Sequence, residues 1–419
     1  AYEGLNNAGK SNNNLIVILN HNDMSISKNV GAFAKYLTSI RGNTAYINAK
    51  NKVEYILGNT PIVGEPIKKV IQTSKSALKS VLYHSTMFED MGFVYLGPID
   101  GHNISELEDA LRAAKKLRRP VFVHVNTIKG KGFRPAEINP GAFHAIPSCG
   151  YRKNNPNNDI KDSFSEAAGK ALCRLAAKDS KICAVTAAMK YATGLQYFAS
   201  EYPERFFDVG IAEQHAVTFA AGLAKGGRLP FFAVYSSFLQ RSYDQIIHDA
   251  SIDRVHIVIG IDRAGFSGED GETHQGIFDV PMLLTVPGIT VFSPSTYKEL
   301  ELCMETAFYR TDGVAAVRYP KGGETLTFGA EDTVSYAYTL TKNGNRRLAV
   351  GYGRIIHNLY AAAENCDVLK LVKLYPVEEE ILRICKNYDE IFFFEEGSRR
   401  GGIGEYLLTE LYGKGYRGK

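Results

Sequence analysis

Four stretches of this 419-residue chain group residue types that can do chemistry. The first, NHNDMSIS at residues 20–27, follows the apolar run LIVIL. Asn22 offers an amide oxygen there and Met24 a backbone carbonyl, hard donors of the kind Mg2+ accepts when substrate phosphates complete its shell. An ordinary Asn/Asp turn closing a strand would use the same residues. The second, TIKGKG at 127–132, has glycines that let backbone approach an anion while Lys129 or Lys131 supplies charge. Solvated loop lysines are the plainer reading. Just beyond, GAFHAIP sets His144 in a loop, where it can donate to a ligand or simply pack.

The third stretch, DVGIAEQHAVTFAAGLA, places Glu213 among the apolar and small residues of a helix. A buried carboxylate is costly without a partner. Glu213 therefore either caps or pairs locally, or exchanges a proton with a ring nitrogen of a bound cofactor. The fourth joins YSSFLQRSYDQIIHD at 235–249 to IDRAGFSGEDGETHQG at 261–276. The latter ends a strand in Asp262 and Arg263 and runs into a Gly-rich loop carrying Asp270 and His274, too long and polar for a mere connection. Arg263 suits a phosphate or carboxylate, and His274 suits proton transfer or a hydrogen bond to a developing alkoxide. RYPKG at 318–322 adds Arg318 and Lys321 at another strand end.

These groups need a scaffold, and the chain around them alternates short buried-strand runs with amphipathic helices. That pattern specifies α/β architecture with mostly parallel sheets covered on both faces. In such sheets ligands lie beyond the carboxyl ends of the strands, where all four stretches fall. SELEDALRAAKKL puts Leu107, Ala110, Leu111 and Ala114 on one helical face, with Ser105 and Glu108 as a capping box. A polar, Asn-rich run around 150–162 and a turn-rich run at 321–336 read as boundaries. We expect three domains, at 1–155, 156–325 and 340–419.

Composition excludes several classes. The net charge of +4 comes without a single-sign block, so no nucleic-acid track is present and any phosphate site must be built locally. Six scattered cysteines without a CxxC pair indicate packing residues in a reducing compartment. The longest apolar runs are strand-length, so no membrane span is expected, and no signal peptide is visible. The chain opens on AYEGLNNAG, which reads as the middle of a helix, and stops at ELYGKGYRGK where a βα pattern would continue. We expect a chain lacking an N-terminal part and a C-terminal end.

Taken together, GIAEQHAVTFAAGLA, YSSFLQRSYDQ, DRAGFSGEDGETHQG, RYPKG, GPIDGHN and NHNDMSISKNVGA resemble the 1-deoxy-D-xylulose-5-phosphate synthase family of transketolase-type enzymes. The likeness runs in order through nearly the whole chain. IAEQH and DGETHQ look like broader transketolase-superfamily elements, whereas FLQRSYDQ and the MSIS segment look specific to the synthases.

The resemblance implies thiamin diphosphate and Mg2+, and the transketolase-like fold, with a partial diphosphate-binding domain at 1–155, a pyrimidine-binding domain at 156–325 and an incomplete C-terminal domain at 340–419. By position, Asn22 and the Met24 carbonyl would ligate the metal, and Lys129 and His144 would lie near the diphosphate or reacting centre. Glu213 would hydrogen-bond the pyrimidine ring, Phe238 would stack on it and Arg241 would lie close by. Tyr235, Arg263 and Lys321 would take the substrate phosphate, and Asp270 and His274 would contact hydroxyls or shuttle protons. The reaction implied is decarboxylative condensation of pyruvate with D-glyceraldehyde 3-phosphate, the entry to isoprenoid and to thiamin and pyridoxal precursors, by a cytoplasmic homodimer of bacterial or, less directly, plastid type. Another transketolase-type enzyme, or a cofactor-binding core without full activity, is the alternative. Two departures stand out. The family's GDG motif, whose Asp is the other protein ligand to magnesium, is expected upstream of AYEG and is absent here. Lys321 also stands where the family often has Arg, and a point charge loses bidentate geometry.

Overall fold

A computed structural model describes residues 2–11, 13–24, 31–42, 86–141, 143–144, 162–324 and 334–419. The MSIS residues 25–27, Cys149, nearly all of the Asn-rich run and most of the turn-rich run lie outside the described residues. The chain divides into two compact units, Ala1–His144 and Ala145–Lys419.

In the first unit, β1 (Ile16–His21), β2 (Val94–Asp100) and β3 (Val121–Asn126) form a parallel sheet in the order β1-β3-β2. Five successive buried residues, VFVHV, explain why β3 is central, since both of its faces are covered. The helix Ile104–Lys116 crosses over from β2 to β3. Its only positions that are not exposed are Leu107, Ala110, Leu111 and Ala114, the predicted face. Its start differs from the prediction. Asn103 is the N-cap and accepts the Glu106 amide at 3.3 Å, so Ser105 already lies inside the helix. The extended backbone of Asn103, just past the Asp100 turn, puts the cap two residues earlier than the Ser–Glu pattern suggested.

In the second unit, β4 (Ile182–Thr186), β5 (Phe206–Asp208), β6 (Leu229–Tyr235), β7 (Ile257–Asp262), β8 (Thr290–Phe292) and β9 (Val314–Arg318) pair in parallel. Every residue of β4, β7 and β9 is buried, as continuous apolar runs between two helical layers must be. A four-stranded sheet contains β10 (Tyr338–Thr341), β11 (Arg347–Tyr352), β12 (Asp367–Leu371) and β14 (Glu390–Phe394) in the order β10-β12-β11-β14. The run VLKLVKLYP serves two sheets. Residues 367–371 form β12, whereas β13 (Lys373–Tyr375) adds antiparallel to β8 and completes the order β13-β8-β9-β7-β6-β4-β5. The switch occurs at Val372, whose amide bonds Ala337 and whose carbonyl accepts from Ser293.

Two buried ion pairs reinforce this join. Lys370 on β12 meets Glu299 of the helix Tyr297–Tyr309 at 2.5 Å, both side chains being almost fully buried. Arg318 at the end of β9 holds Asp279 through Nε at 2.9 Å and Nη2 at 3.3 Å, bonds Ser293, and faces the Tyr352 ring of β11 at 5.3 Å. Cys173, Cys183, Cys303 and Cys385 are buried free thiols, consistent with packing. No helix among the described residues is long and apolar enough to cross a membrane.

Breaking a buried pair from one side strands a charge. Asp279→Ala should therefore lower stability by about 3–5 kcal/mol, whereas Asp279→Leu combined with Arg318→Met should recover most of the loss. Urea unfolding midpoints of the two variants decide this, and equal midpoints would show the pair to be an ordinary packing contact.

Candidate active site

In the first unit the chain leaves β1 through His21, Asn22, Asp23 and Met24. Asn22 Oδ1 accepts the Met24 amide at 3.1 Å, and Asp23 takes a left-handed φ of 59°. The Thr127 hydroxyl donates to Asn20 Oδ1 at 2.6 Å, tying this loop to TIKGKG at the end of β3. Gly130 has φ 82°, and a Cβ there would sit 2.6 Å from that of Ala136, so the loop needs glycine on both counts. Lys131 is exposed, whereas Lys129 is half-buried with Nζ 3.0 Å from His144 Nδ1. Burial lowers the pKa of Lys129, and burial together with the Lys129 charge lowers that of His144. Two basic side chains therefore meet at this loop, which suits a diphosphate. His102 of GPIDGHN, given no role from sequence, accepts the Ile128 amide on Nε2 at 2.9 Å and shapes the same loop. Among the described residues no group of three or more His, Cys, Asp or Glu could hold a metal ion. The Asn22 and Met24 oxygens are a donor set of another kind, neutral and hard, that fits Mg2+ bound with a diphosphate.

In the second unit, Glu213 opens the helix Glu213–Lys225 with its side chain almost fully buried. The helix N-terminus favours a carboxylate there, and Arg241 Nη1 donates to Oε2. Gln214 Oε1, Ser236 Oγ and Ser237 Oγ, next in the chain to Glu213 and Phe238, are buried without hydrogen-bond partners. A ring bearing both donors and acceptors, such as an aminopyrimidine, satisfies atoms of this kind.

The remaining predicted residues meet because β9, β7 and β6 are neighbours, so their carboxyl ends lie side by side. Phe238 stacks on Tyr235 with ring centres 5.6 Å apart and meets His274 edge-on at 5.1 Å. The Arg263 guanidinium lies 4.1 Å from the Tyr235 ring centre. Arg263 pairs with Asp270 Oδ2, and Lys321 Nζ reaches Asp270 Oδ1 at 2.7 Å. Burial alone would raise the Asp270 pKa, but the Lys321 hydrogen bond and the Arg263 charge outweigh it and lower it. Asp262, one residue before Arg263, is fully buried, and its carboxyl is pushed up to about 6 by burial, against smaller opposing effects of Ser165 and Arg263.

Two findings escaped the sequence. The loop from Arg263 to Gly276 is closed by paired Gly265 and Gly276 amides, each accepting and donating at 2.8 Å. Gln275 braces it by accepting the Ser267 amide at 2.8 Å and donating to the Gly271 carbonyl at 2.7 Å. Arg318, placed by sequence beside Lys321 as a site cation, is instead bound by Asp279 and 3% exposed, so it is corrected to a structural residue.

Residues 1–127 match the family model described as 1-deoxy-D-xylulose-5-phosphate synthase, and residues 161–323 match the transketolase pyrimidine-binding domain. A 1-deoxy-D-xylulose-5-phosphate synthase of Caldanaerobacter subterraneus subsp. tengcongensis is 42% identical over 99% of this chain and 68% of its own length. One from Clostridium kluyveri is 42% identical over 97% of this chain and 67% of its own length. A solved structure described as a split gene transketolase, inactive β4 tetramer, superposes with a TM-score of 0.55 and 26% identity over 61% of this chain and 86% of its own.

Burial and the Lys129 charge disfavour protonation of His144 in the usual imidazole range, whereas an anion bound beside it favours the protonated form. Inorganic diphosphate should therefore raise the His144 pKa and bind more tightly as pH falls through that range. An NMR titration of His144 with and without diphosphate checks this, and a midpoint that diphosphate leaves unmoved contradicts it.

Proposed function

The chain belongs to the 1-deoxy-D-xylulose-5-phosphate synthase family, and from that premise we propose how its residues divide the work of condensing pyruvate with D-glyceraldehyde 3-phosphate. The family makes it a thiamin-diphosphate-dependent transferase. Thiamin diphosphate, when bound, supplies a nucleophilic carbon and an electron sink for the decarboxylation. In the first unit, Asn22 and the Met24 carbonyl take Mg2+, while Lys129 and His144 take diphosphate charge. In the second, Glu213 holds a proton at a pyrimidine ring nitrogen, with Arg241 keeping its carboxylate in place, and Phe238 offers a stacking face. A homodimeric assembly and a cytoplasmic location rest on family membership alone.

The observation that carries the substrate assignment is the pairing of Asp270 with both Arg263 and Lys321. Its carboxylate makes the charge-assisted contacts that a phosphate would make. A dianionic phosphate reaching the two cations competes with one carboxylate and offers more charge and more acceptor oxygens. Tyr235 lies against Arg263 and fixes the guanidinium plane. His274, in edge contact with Phe238, would hold or deliver a proton at the substrate oxygen that becomes an alkoxide.

Pyruvate decarboxylation by the full-length protein should depend on added glyceraldehyde 3-phosphate, and absence of carbon dioxide release with both substrates present would sink the assignment. Lys321→Ala should raise the KM for glyceraldehyde 3-phosphate by roughly 10- to 100-fold, the equivalent of one hydrogen bond to a charged group, and that for pyruvate much less. Equal effects on both substrates count against a phosphate role. Glu213→Gln, which keeps an acceptor for Arg241, should lower turnover by at least about 100-fold with folding intact. Wild-type exchange of the thiazolium C2 proton in that variant would rule out the proton assignment.

A further inference from the structure

A line of buried polar side chains crosses the sheet of the first unit and is used by no step above. Tyr95 on β2, His124 on β3 and His21 at the end of β1 are 2%, 0% and 3% exposed. Tyr95 Oη lies 2.7 Å from His124 Nδ1, and His124 Nε2 lies 3.1 Å from His21 Nδ1. His21 Nε2 is 2.9 Å from Asp23 Oδ1, an oxygen that also accepts the Thr38 hydroxyl at 3.2 Å from the helix Ala32–Gly42. The line therefore touches all three strands and one helix, and it ends on the residue between Asn22 and Met24.

Its polarity follows from that end. A carboxylate only accepts, so His21 Nε2 carries hydrogen and, in the neutral ring, Nδ1 is an acceptor. His124 must then donate from Nε2, and its Nδ1 must accept from the Tyr95 hydroxyl. With both rings neutral, this assignment gives each of the four ring nitrogens a complementary partner. Polar groups in a sheet core are costly, and apolar residues there would pack without that cost. Asp23, in turn, takes a left-handed φ of 59°, a conformation that Asp adopts when its short side chain is hydrogen-bonded, as it is here to His21 and Thr38.

We propose that Tyr95, His124 and His21 are positioning residues for the divalent cation. By fixing Asp23 they hold the left-handed turn that aims the Asn22 amide oxygen and the Met24 carbonyl. The inference rests on the reading of those two oxygens as cation ligands. Asn22 Oδ1 already accepts the Met24 amide at 3.1 Å and keeps a second lone pair for a cation. Partners behind a metal ligand commonly change metal affinity by about 10- to 100-fold.

Tyr95→Phe deletes one hydroxyl while keeping the ring stacked on Phe88. Mn2+ binding to the full-length protein, titrated with inorganic diphosphate present and followed by the EPR signal of free Mn2+, should weaken roughly ten-fold in this variant. The cation-free variant should stay folded, with its unfolding midpoint lowered only by the loss of this one buried hydrogen bond. Asp23→Ala, at a half-exposed position outside the core, should give a similar loss that Asp23→Asn restores. In 15N-histidine spectra of the parent, both rings should show the Nε2–H tautomer, and Tyr95→Phe should disturb that of His124. Loss of binding in Asn22→Ala with none in Tyr95→Phe or Asp23→Ala overturns the positioning role alone. Parental binding in Asn22→Ala overturns the cation reading beneath it. An Nδ1–H tautomer at either ring in the parent overturns the line's polarity and with it the proposal.

Discussion

Two cations from neighbouring strand ends share one carboxylate, and the arrangement of the second unit turns on that. Arg263 follows β7 and Lys321 follows β9, strands paired in register from Ile257 with Val314 to Ile261 with Arg318. Parallel pairing brings their carboxyl ends together, and with them two positive charges in a partly buried place. Coulomb repulsion at low dielectric makes such a pair unfavourable unless an anion lies between. Asp270 supplies it because the loop after β7 doubles back, and the loop can do so because Gly265 and Gly276 pair tightly enough that a Cβ at Gly276 would lie 2.2 Å from the Arg263 carbonyl. Charge pairing and loop closure are thus one constraint.

The same economy of charge runs through the join between the seven- and four-stranded sheets. Arg318 and Lys370 are each buried, each matched by one carboxylate, and each placed where segments of the two sheets meet. Such pairs add little net stability over apolar packing but penalise any register in which one partner is missing. They therefore help specify how β13 crosses from one sheet to the other. In the first unit the corresponding device is a line of hydrogen-bonded side chains that runs from Tyr95 through two imidazoles to the Asp23 carboxylate.

Much of this was legible in the residues. Continuous apolar runs specified buried parallel strands, helical spacing picked out the four covered positions of the helix Ile104–Lys116, and loops at strand ends held the reactive side chains. Motif order specified the family, because IAEQH, FLQRSYDQ and DGETHQ are each chemically unusual and occur in sequence. Local rules failed where a competing partner was closer. Asn103 capped the helix before Ser105 could, and Arg318 met Asp279, some forty residues away in the chain.

What the sequence determined by itself is the list of groups and their periodicity, since polarity and spacing are local properties of the chain. It could not say which cation would be fully buried, because Arg318 and Lys321 are both basic and lie three residues apart in RYPKG. Nor could it show that the His of VFVHV faces the His of NHND, since that contact spans 103 residues. Tertiary structure decided both, because burial and partner geometry, not residue type, determine what a charge or a hydrogen-bond donor can do.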